Sequence, residues 1–263
     1  MTNRVEQSFA RLRKEGRAAL IPYMMAGYPA GIKTELLIET LAGAGADLIE
    51  VGIPFSDPLA DGATIQKASE IALSGGTTTD KVFAAVREAR QMTAVPIVVM
   101  TYYNIVFRYG LERFAAAAAA AGIDGAIIPD LPPEEAGPWQ EAASRFGLCT
   151  VFLVAPTSSA ERIRRVSNAC TGFVYCVSLT GVTGSRTKLA SGLPAFIETV
   201  KRTTDKPVAV GFGVSTAGQA AELSRLADGV IVGSALIDRM AAGGSEGIAK
   251  TADFVKELKV GMR

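Results

Sequence analysis

The chain has no histidine, so any acid–base chemistry falls to Asp, Glu, Tyr, Lys or Cys side chains. The commonest zinc ligand and every histidine-dependent triad are missing with it. One carboxylate stands inside an apolar run, Asp47-Leu48-Ile49-Glu50-Val51-Gly52. Alternation along a strand puts Glu50 and Leu48 on one face and Ile49 and Val51 on the other. If Ile49 and Val51 pack outward, Glu50 points inward and is partly desolvated. That raises its pKa and suits a group that both donates and accepts protons. A second carboxylate, Asp61, ends the segment Asp57-Pro58-Leu59-Ala60-Asp61, a loop able to fold back over the same place. Plainer readings stand beside both. Glu50 could be half of an ion pair within a sheet, although no strand run carries an obvious basic partner. Asp61-Gly62 and Asp57-Pro58 are ordinary turn dipeptides, and Asp57 could equally face a partner protein.

Three glycine-rich segments each follow an apolar run: Thr180-Gly181-Val182-Thr183-Gly184-Ser185-Arg186, Gly211-Phe212-Gly213-Val214-Ser215 and Gly233-Ser234-Ala235-Leu236. Glycines there let backbone N–H groups approach an anion, and Ser215 and Ser234 sit where helices would begin. Each segment alone is equally a left-handed turn; three at one end of one sheet describe a phosphate cradle. No lysine lies in a strand run, which argues against a Schiff-base aldolase. No Asp, Glu or Cys cluster has metal-ligand spacing, so no metal is expected. A carbon–carbon lyase built from these residues would need its substrate to supply the electron sink.

The elements that would position these groups are eight β-rich runs, at residues 20–25, 47–52, 96–102, 125–129, 148–154, 172–178, 207–212 and 229–233, alternating with helical patterns. Parallel neighbours need crossover helices, so the class is α/β, and eight units close into a (β/α)8 TIM barrel. An open doubly wound sheet is the alternative. Helices are predicted over 111–121, ending at Gly122; over 134–146, between Pro132-Pro133 and Gly147; over 160–167, capped by Ser158 or Ser159; and over 216–226, capped by Ser215. Two gaps are long, 53–79 after the second strand and 179–193 after the sixth. Both open at strand C-terminal ends, where barrel enzymes carry their active sites. The pattern predicts one domain over residues 1–263, without internal repeats beyond the barrel period. A net charge of +1 gives no reason to expect nucleic acid or an acidic membrane as partner. No apolar run is long enough to span a bilayer, and the charged start of the chain does not resemble an export signal. Three cysteines without ligand spacing (Cys149, Cys170 and Cys176) read as buried free thiols in a cytoplasmic protein.

Glu50 in its strand, the run Pro54-Phe55-Ser56-Asp57-Pro58-Leu59-Ala60-Asp61-Gly62 and the segment Gly181-Val182-Thr183-Gly184 together resemble the tryptophan synthase alpha chain family. Ile65-Gln66, residues 102–104, Gly211-Phe212-Gly213 and Gly233-Ser234 extend the match in the right order over nearly the whole chain. One departure is Ala63, where the family often has proline. The resemblance implies cleavage of indole-3-glycerol phosphate to indole and glyceraldehyde 3-phosphate. It implies acid–base catalysis by Glu50 and contact of Asp61 with the indole nitrogen. It further implies an indole pocket of Tyr23, Ile65, Met100, Tyr102, Ile127, Tyr175 and Phe212. For Tyr23, Met100 and Ile127, plain core packing is an equal reading. Thr183 and Gly184 would lie on a closing loop, and Gly211, Gly213, Gly233 and Ser234 around the phosphate. Pro54, Asp57, Pro58 and Asn104 would face a pyridoxal-phosphate-bearing beta chain, so no cofactor is expected on this chain and an α2β2 complex is. A stand-alone lyase, an inert barrel that only binds the beta chain, and another phosphosugar enzyme such as an isomerase are the competing readings.

Overall fold

The computed structural model describes residues 3–177, 192–211 and 213–262. Its strands are β1 (Ala19–Met25), β2 (Ile49–Gly52), β3 (Ile97–Met100), β4 (Gly125–Ile127), β5 (Cys149–Val154), β6 (Val174–Val177), β7 (Val208–Gly211) and β8 (Gly229–Val232). They pair in parallel, in sequence order, and β1 closes on β8, so the sheet is a closed barrel rather than an open one. The helices are α1 (Arg4–Lys14), α2 (Thr34–Gly43), α3 (Ala63–Ser74), α4 (Thr79–Ala89), α5 (Tyr103–Tyr109), α6 (Leu111–Ala120), α7 (Gly137–Arg145), α8 (Ala160–Ala169), α9 (Leu193–Thr203), α10 (Ala217–Ser224), α11 (Ser234–Met240) and α12 (Gly244–Gly261). The long gap after β2 is filled by an extra helix, α3. The gap after β6 falls largely outside the described residues.

Two apolar layers follow from strand alternation. Ile49, Val51, Val99 and Val210 face the surrounding helices. Ile21, Leu48, Val98, Ile127, Val151, Phe173, Tyr175, Ala209 and Ile231 fill the interior. Helix α1 closes the N-terminal end: its Val5, Phe9 and Leu12 recur at helical spacing and pack into the interior, with the Phe9 and Phe173 rings 5.6 Å apart. Asn3 caps this helix through Val5 N–H and also donates to the carbonyls of Asp124 and Gly147.

A polar device repeats at that closed end. The residues leading into the even strands accept an early N–H from the preceding odd strand: Asp47 from Leu20 at 2.8 Å, Asp124 from Ile97 at 2.8 Å, Thr171 from Thr150 at 2.8 Å and Asp228 from Val208 at 2.9 Å. The carboxylates are neutralised from outside, Asp47 by Lys259, Asp124 by Arg90 and Arg4, and Asp228 by Lys201. The three carboxylates register neighbouring strands by a charge-assisted bond added to a backbone one, since the N–H groups of Asp47, Asp124 and Asp228 donate to the carbonyls of Leu20, Ile97 and Val208.

The predicted strands are trimmed where these end residues take other work. Asp47 is such a cap rather than a strand residue, and Tyr102 precedes α5 instead of extending β3. Helix α7 starts at Gly137, not at 134. The N–H groups of Glu135 and Ala136 donate to the carbonyls of Pro132 and Pro133 in a tight turn, and Pro138 supplies the first-turn φ. Thr216, not Ser215, caps α10. Ser159 caps α8, while the Ser158 hydroxyl accepts Ala155 N–H. Helix α6 ends before Gly122, which has φ +85°.

Asp124 is buried and holds both the β3 amide and the guanidinium of Arg90. Asp124→Ala is expected to cost about 3–5 kcal/mol, because it leaves the largely buried Arg90 cation without its carboxylate and the buried Ile97 N–H without its side-chain acceptor. Urea unfolding checks this, and an unchanged midpoint would contradict the registering role.

Candidate active site

At the open end of the barrel, β1 and β2 place Tyr23 and Glu50 side by side in register. Glu50 is 1% exposed, and among the described residues neither of its carboxylate oxygens has a hydrogen-bond partner. None of the described ion pairs includes it, so the ion-pair alternative finds no support there. Desolvation, reinforced by the neighbouring Asp61 charge, pushes its pKa up to about 8. A strand with two outward apolar residues thus forces one acidic group into a dry interior at the mouth.

Asp61 sits half-buried at the end of the β2–α3 loop. Its N–H donates to the Pro58 carbonyl at 3.0 Å, and its own carbonyl accepts from the Gln66 side chain at 2.8 Å. The Gly62 carbonyl accepts the N–H groups of Ile65 and Gln66, so helix α3 begins directly behind the carboxylate. Burial pushes Asp61 up to about 6, and hydrogen bonding with the Tyr102 hydroxyl holds it down against that. Ala63 occupies the first position of α3, where the fixed φ of a proline would also fit.

Tyrosines surround the pair. Burial beside the two carboxylates raises the pKa of Tyr23 and Tyr175 well above the ordinary phenol range, so both are neutral hydroxyls. Two glycines make room for them. A Cβ built on Gly52 would lie 2.3 Å from the Tyr23 oxygen, and one on Gly211 would lie 2.4 Å from the Tyr175 oxygen. Gly211 therefore admits a ring, whatever else it touches. At Gly233 the nearest atoms to such a Cβ are those of Tyr23 and Ile65, at 3.8–3.9 Å, so no protein contact there requires glycine. Gly213 does need to be glycine, since its φ is +81°. Ser234 opens the short helix α11, but Ser215 is engaged elsewhere: its N–H and hydroxyl both meet the Gln219 carbonyl oxygen.

Ile127 is buried in the interior and Met100 is half-buried at its rim, in register with each other. Ile65, from α3, reaches across to Tyr23 and Gly233. Pro54 is buried, Pro58 half-buried, and Asp57 and Asn104 are exposed. Thr183, Gly184 and Phe212 lie outside the described residues. Leu153 and Val177, half-buried against the interior cluster, were not expected. Their strand parity, two residues beyond Val151 and Tyr175, is the signal that would have found them. The paired hydrogen bonds of buried Ser69 to the N–H and carbonyl of Phe55, both 2.9 Å, left no sequence signal.

A family model described as "Tryptophan synthase alpha chain" matches residues 9–263. The chain belongs to the tryptophan synthase alpha chain family. A tryptophan synthase alpha chain of Roseiflexus castenholzii is 51% identical over 98% of this chain and 99% of its own length. Among solved structures, tryptophan synthase of Mycobacterium tuberculosis is 42% identical with a TM-score of 0.90, covering 100% of this chain and 99% of that one. The alpha subunit from Legionella pneumophila is 35% identical with a TM-score of 0.92 and the same coverage. As a member of the family, the chain is a lyase that cleaves indole-3-glycerol phosphate in tryptophan biosynthesis. The family's alpha chain has no cofactor of its own and works in complex with a beta chain, which holds pyridoxal phosphate. Among the described residues, no three Asp, Glu or Cys side chains are arranged to hold a metal, and no helix is long and apolar enough to cross a membrane.

The buried Glu50 also bears on stability. Its folded pKa lies above its ordinary value of 4.5. As pH rises from 4.5 toward 8, the unfolded chain releases this proton while the folded chain keeps it, so stability falls. Glu50→Gln removes that penalty. Its stability gain over the parent should grow between pH 5 and 8 in parallel urea unfolding series, and a gain independent of pH would contradict the raised pKa. Similarly, Gly52→Ala should lower turnover by crowding Tyr23, and Tyr23→Phe in that background should restore part of it in an indole-release assay; additive losses would exclude the contact.

Proposed function

We propose that Glu50 is the proton donor and acceptor of the lyase reaction and that Asp61 stabilises positive charge on the indole nitrogen. The observation that carries this is the contrast between the two carboxylates: Glu50 is buried with no partner among the described residues and is pushed up to about 8, while half-buried Asp61 is pushed up only to about 6. One is therefore protonated and the other ionised at neutral pH. Protonated Glu50 supplies a proton to the indole ring carbon C3, which makes the ring an iminium-like electron sink. Ionised Asp61 faces the charge that develops at nitrogen. The Glu50 carboxylate then takes the proton of the side-chain hydroxyl next to the breaking bond. The electrons of that carbon–carbon bond return to the ring, an aldehyde forms on the departing phosphosugar, and Glu50 is again protonated. No lysine or metal is needed for this sequence.

In the same reading, Tyr23, Ile65, Met100, Tyr102, Ile127, Tyr175 and Phe212 wall the indole. Gly211, Gly213, Gly233 and Ser234 receive the phosphate at the ends of β7 and β8, and Thr183 and Gly184 close over the substrate. The beta chain meets the rim formed by Asp57, Pro58 and Asn104, with the buried Pro54 beneath it. The 94% exposed Leu59 on that loop and the exposed Phe107 on α5 support such a partner face, as does an open groove of about 590 Å³ lined by Phe55, Pro58, Gln66 and Leu73. The chain acts as one barrel domain in a cytoplasmic α2β2 complex, and its three buried free cysteines fit a reducing compartment.

Glu50→Gln and Asp61→Asn are each expected to slow indole release by about 10²–10⁴-fold while substrate still binds. Near-normal turnover in either variant removes that residue from the mechanism. The parent's kcat/KM should be bell-shaped, rising as Asp61 ionises near 6 and falling as Glu50 ionises near 8. Gly233→Ala, which meets only ordinary contacts in the protein, should raise KM for the phosphorylated substrate without altering the unfolding midpoint.

A further inference from the structure

Tyr102 is not simply one more wall of the indole pocket. It leaves β3 as the residue before α5, and the Tyr103 N–H that follows donates to Asp130 at 2.9 Å, fixing the turn on the neighbouring β4 loop. Its hydroxyl accepts the Ala60 N–H at 2.9 Å, the amide next to Asp61, and so stands beside the Asp61 carboxylate, whose pKa it lowers. An N–H toward the oxygen leaves the phenolic hydrogen to point at the carboxylate. The Tyr102 ring is stacked on Phe55, with centroids 5.2 Å apart and planes 28° from parallel. Phe55 is in turn clamped through its backbone by the buried Ser69 of α3. Both ends of the β2–α3 loop, Phe55 and Ala60-Asp61, are therefore held by one side chain from the segment that follows β3.

We propose that Tyr102 is a positioning residue for the lyase reaction: its hydroxyl fixes the Ala60-Asp61 segment and aims the Asp61 carboxylate, as an anion, at the barrel mouth. This rests on the role given to Asp61 above. Among the described residues, the other bonds near Asp61 are short-range, the Pro58 turn and the Gln66 side chain, and both act on its backbone rather than its carboxylate. A phenol whose own pKa is pushed upward by burial and by Asp61 stays protonated, so it remains a donor throughout the working range. Among the described residues, the titratable groups facing this hydroxyl are Asp61, Tyr23 and, more distantly, Asp130. Loss of the hydroxyl removes a donor from a carboxylate and leaves the Ala60 amide without its acceptor, while the ring and its stacking remain.

Tyr102→Phe tests this directly, with Asp61→Asn and the double variant alongside, using the full chain and steady-state indole release across pH 5–9. The expected result is a kcat about 10- to 100-fold lower, with KM changed far less. The acid limb of the profile should move to higher pH, because the carboxylate has lost a donor that favoured its charge. The double variant should be no slower than Asp61→Asn alone. A uniform loss at every pH with the acid limb in place, or an effect confined to KM, would overturn the proposal and leave Tyr102 as pocket wall. If instead the acid limb persists in Asp61→Asn, the role of Asp61 itself fails, and that outcome is recognisable without the Tyr102 variant. Thermal melting of Tyr102→Phe within a few degrees of the parent separates positioning from folding.

Discussion

An acidic side chain with no partner among the described residues, held almost completely out of water, is the constraint around which the open end of this barrel is arranged. Glu50 cannot ionise cheaply there, because the interior beneath it is Leu48, Val98 and Ile127 and no basic group among the described residues answers it. The fold tolerates this because the proton simply stays on. What would be a defect in a structural layer becomes a store of one proton at neutral pH, a few residues from the loop that carries the second carboxylate. The pairing is asymmetric: Asp61 keeps its charge through partial exposure and the Tyr102 hydroxyl, and that charge further discourages ionisation of Glu50.

The rest of the molecule can be understood as insulation of that site from folding. The ion pairs of the strand-leading aspartates lie away from it, at the closed end, where Asp47, Asp124 and Asp228 register the strands and are neutralised by Lys259, Arg90 and Lys201. Helix α1 plugs the same end with Phe9 and Leu12. Stability is thereby concentrated at the N-terminal ends of the strands, and the C-terminal ends are free to carry glycines, short helices and exposed loops. Gly52 and Gly211 belong to this division. Each gives up a side chain so that a tyrosine hydroxyl can stand beside the carboxylates.

Much of this was legible in the sequence because it depends on parity and punctuation. Alternation gave the inward direction of Glu50, glycine at 122 and 147 gave helix ends, and the long second gap gave the loop that carries Asp61. The registering device was harder to see, although Ala46-Asp47, Ile123-Asp124 and Ala227-Asp228 repeat a small pattern before even strands. Its fourth member is a threonine, and the period of two strands hides it. The role of α1 was equally readable from Val5, Phe9 and Leu12, but charged neighbours masked the stripe. What sequence could not supply were contacts that join distant segments through side-chain shape. Ser69 on Phe55, and Tyr102 on Ala60, arise only once the loop between β2 and α3 folds back over the residues that follow β3. Helix starts shifted for a related reason, since Ser215 was drawn to Gln219 and left the cap to Thr216.

The most direct test of the account is the protonation state of Glu50 in the resting chain. Carboxyl ¹³C NMR of the labelled protein, with the Glu50 signal assigned by its loss in Glu50→Gln, reports this by titration. The account predicts a midpoint near 8 for Glu50, above that of Asp61 near 6, so that at pH 7 one carboxyl carries a proton and the other a charge. A Glu50 midpoint near the ordinary 4.5, below that of Asp61, would contradict it.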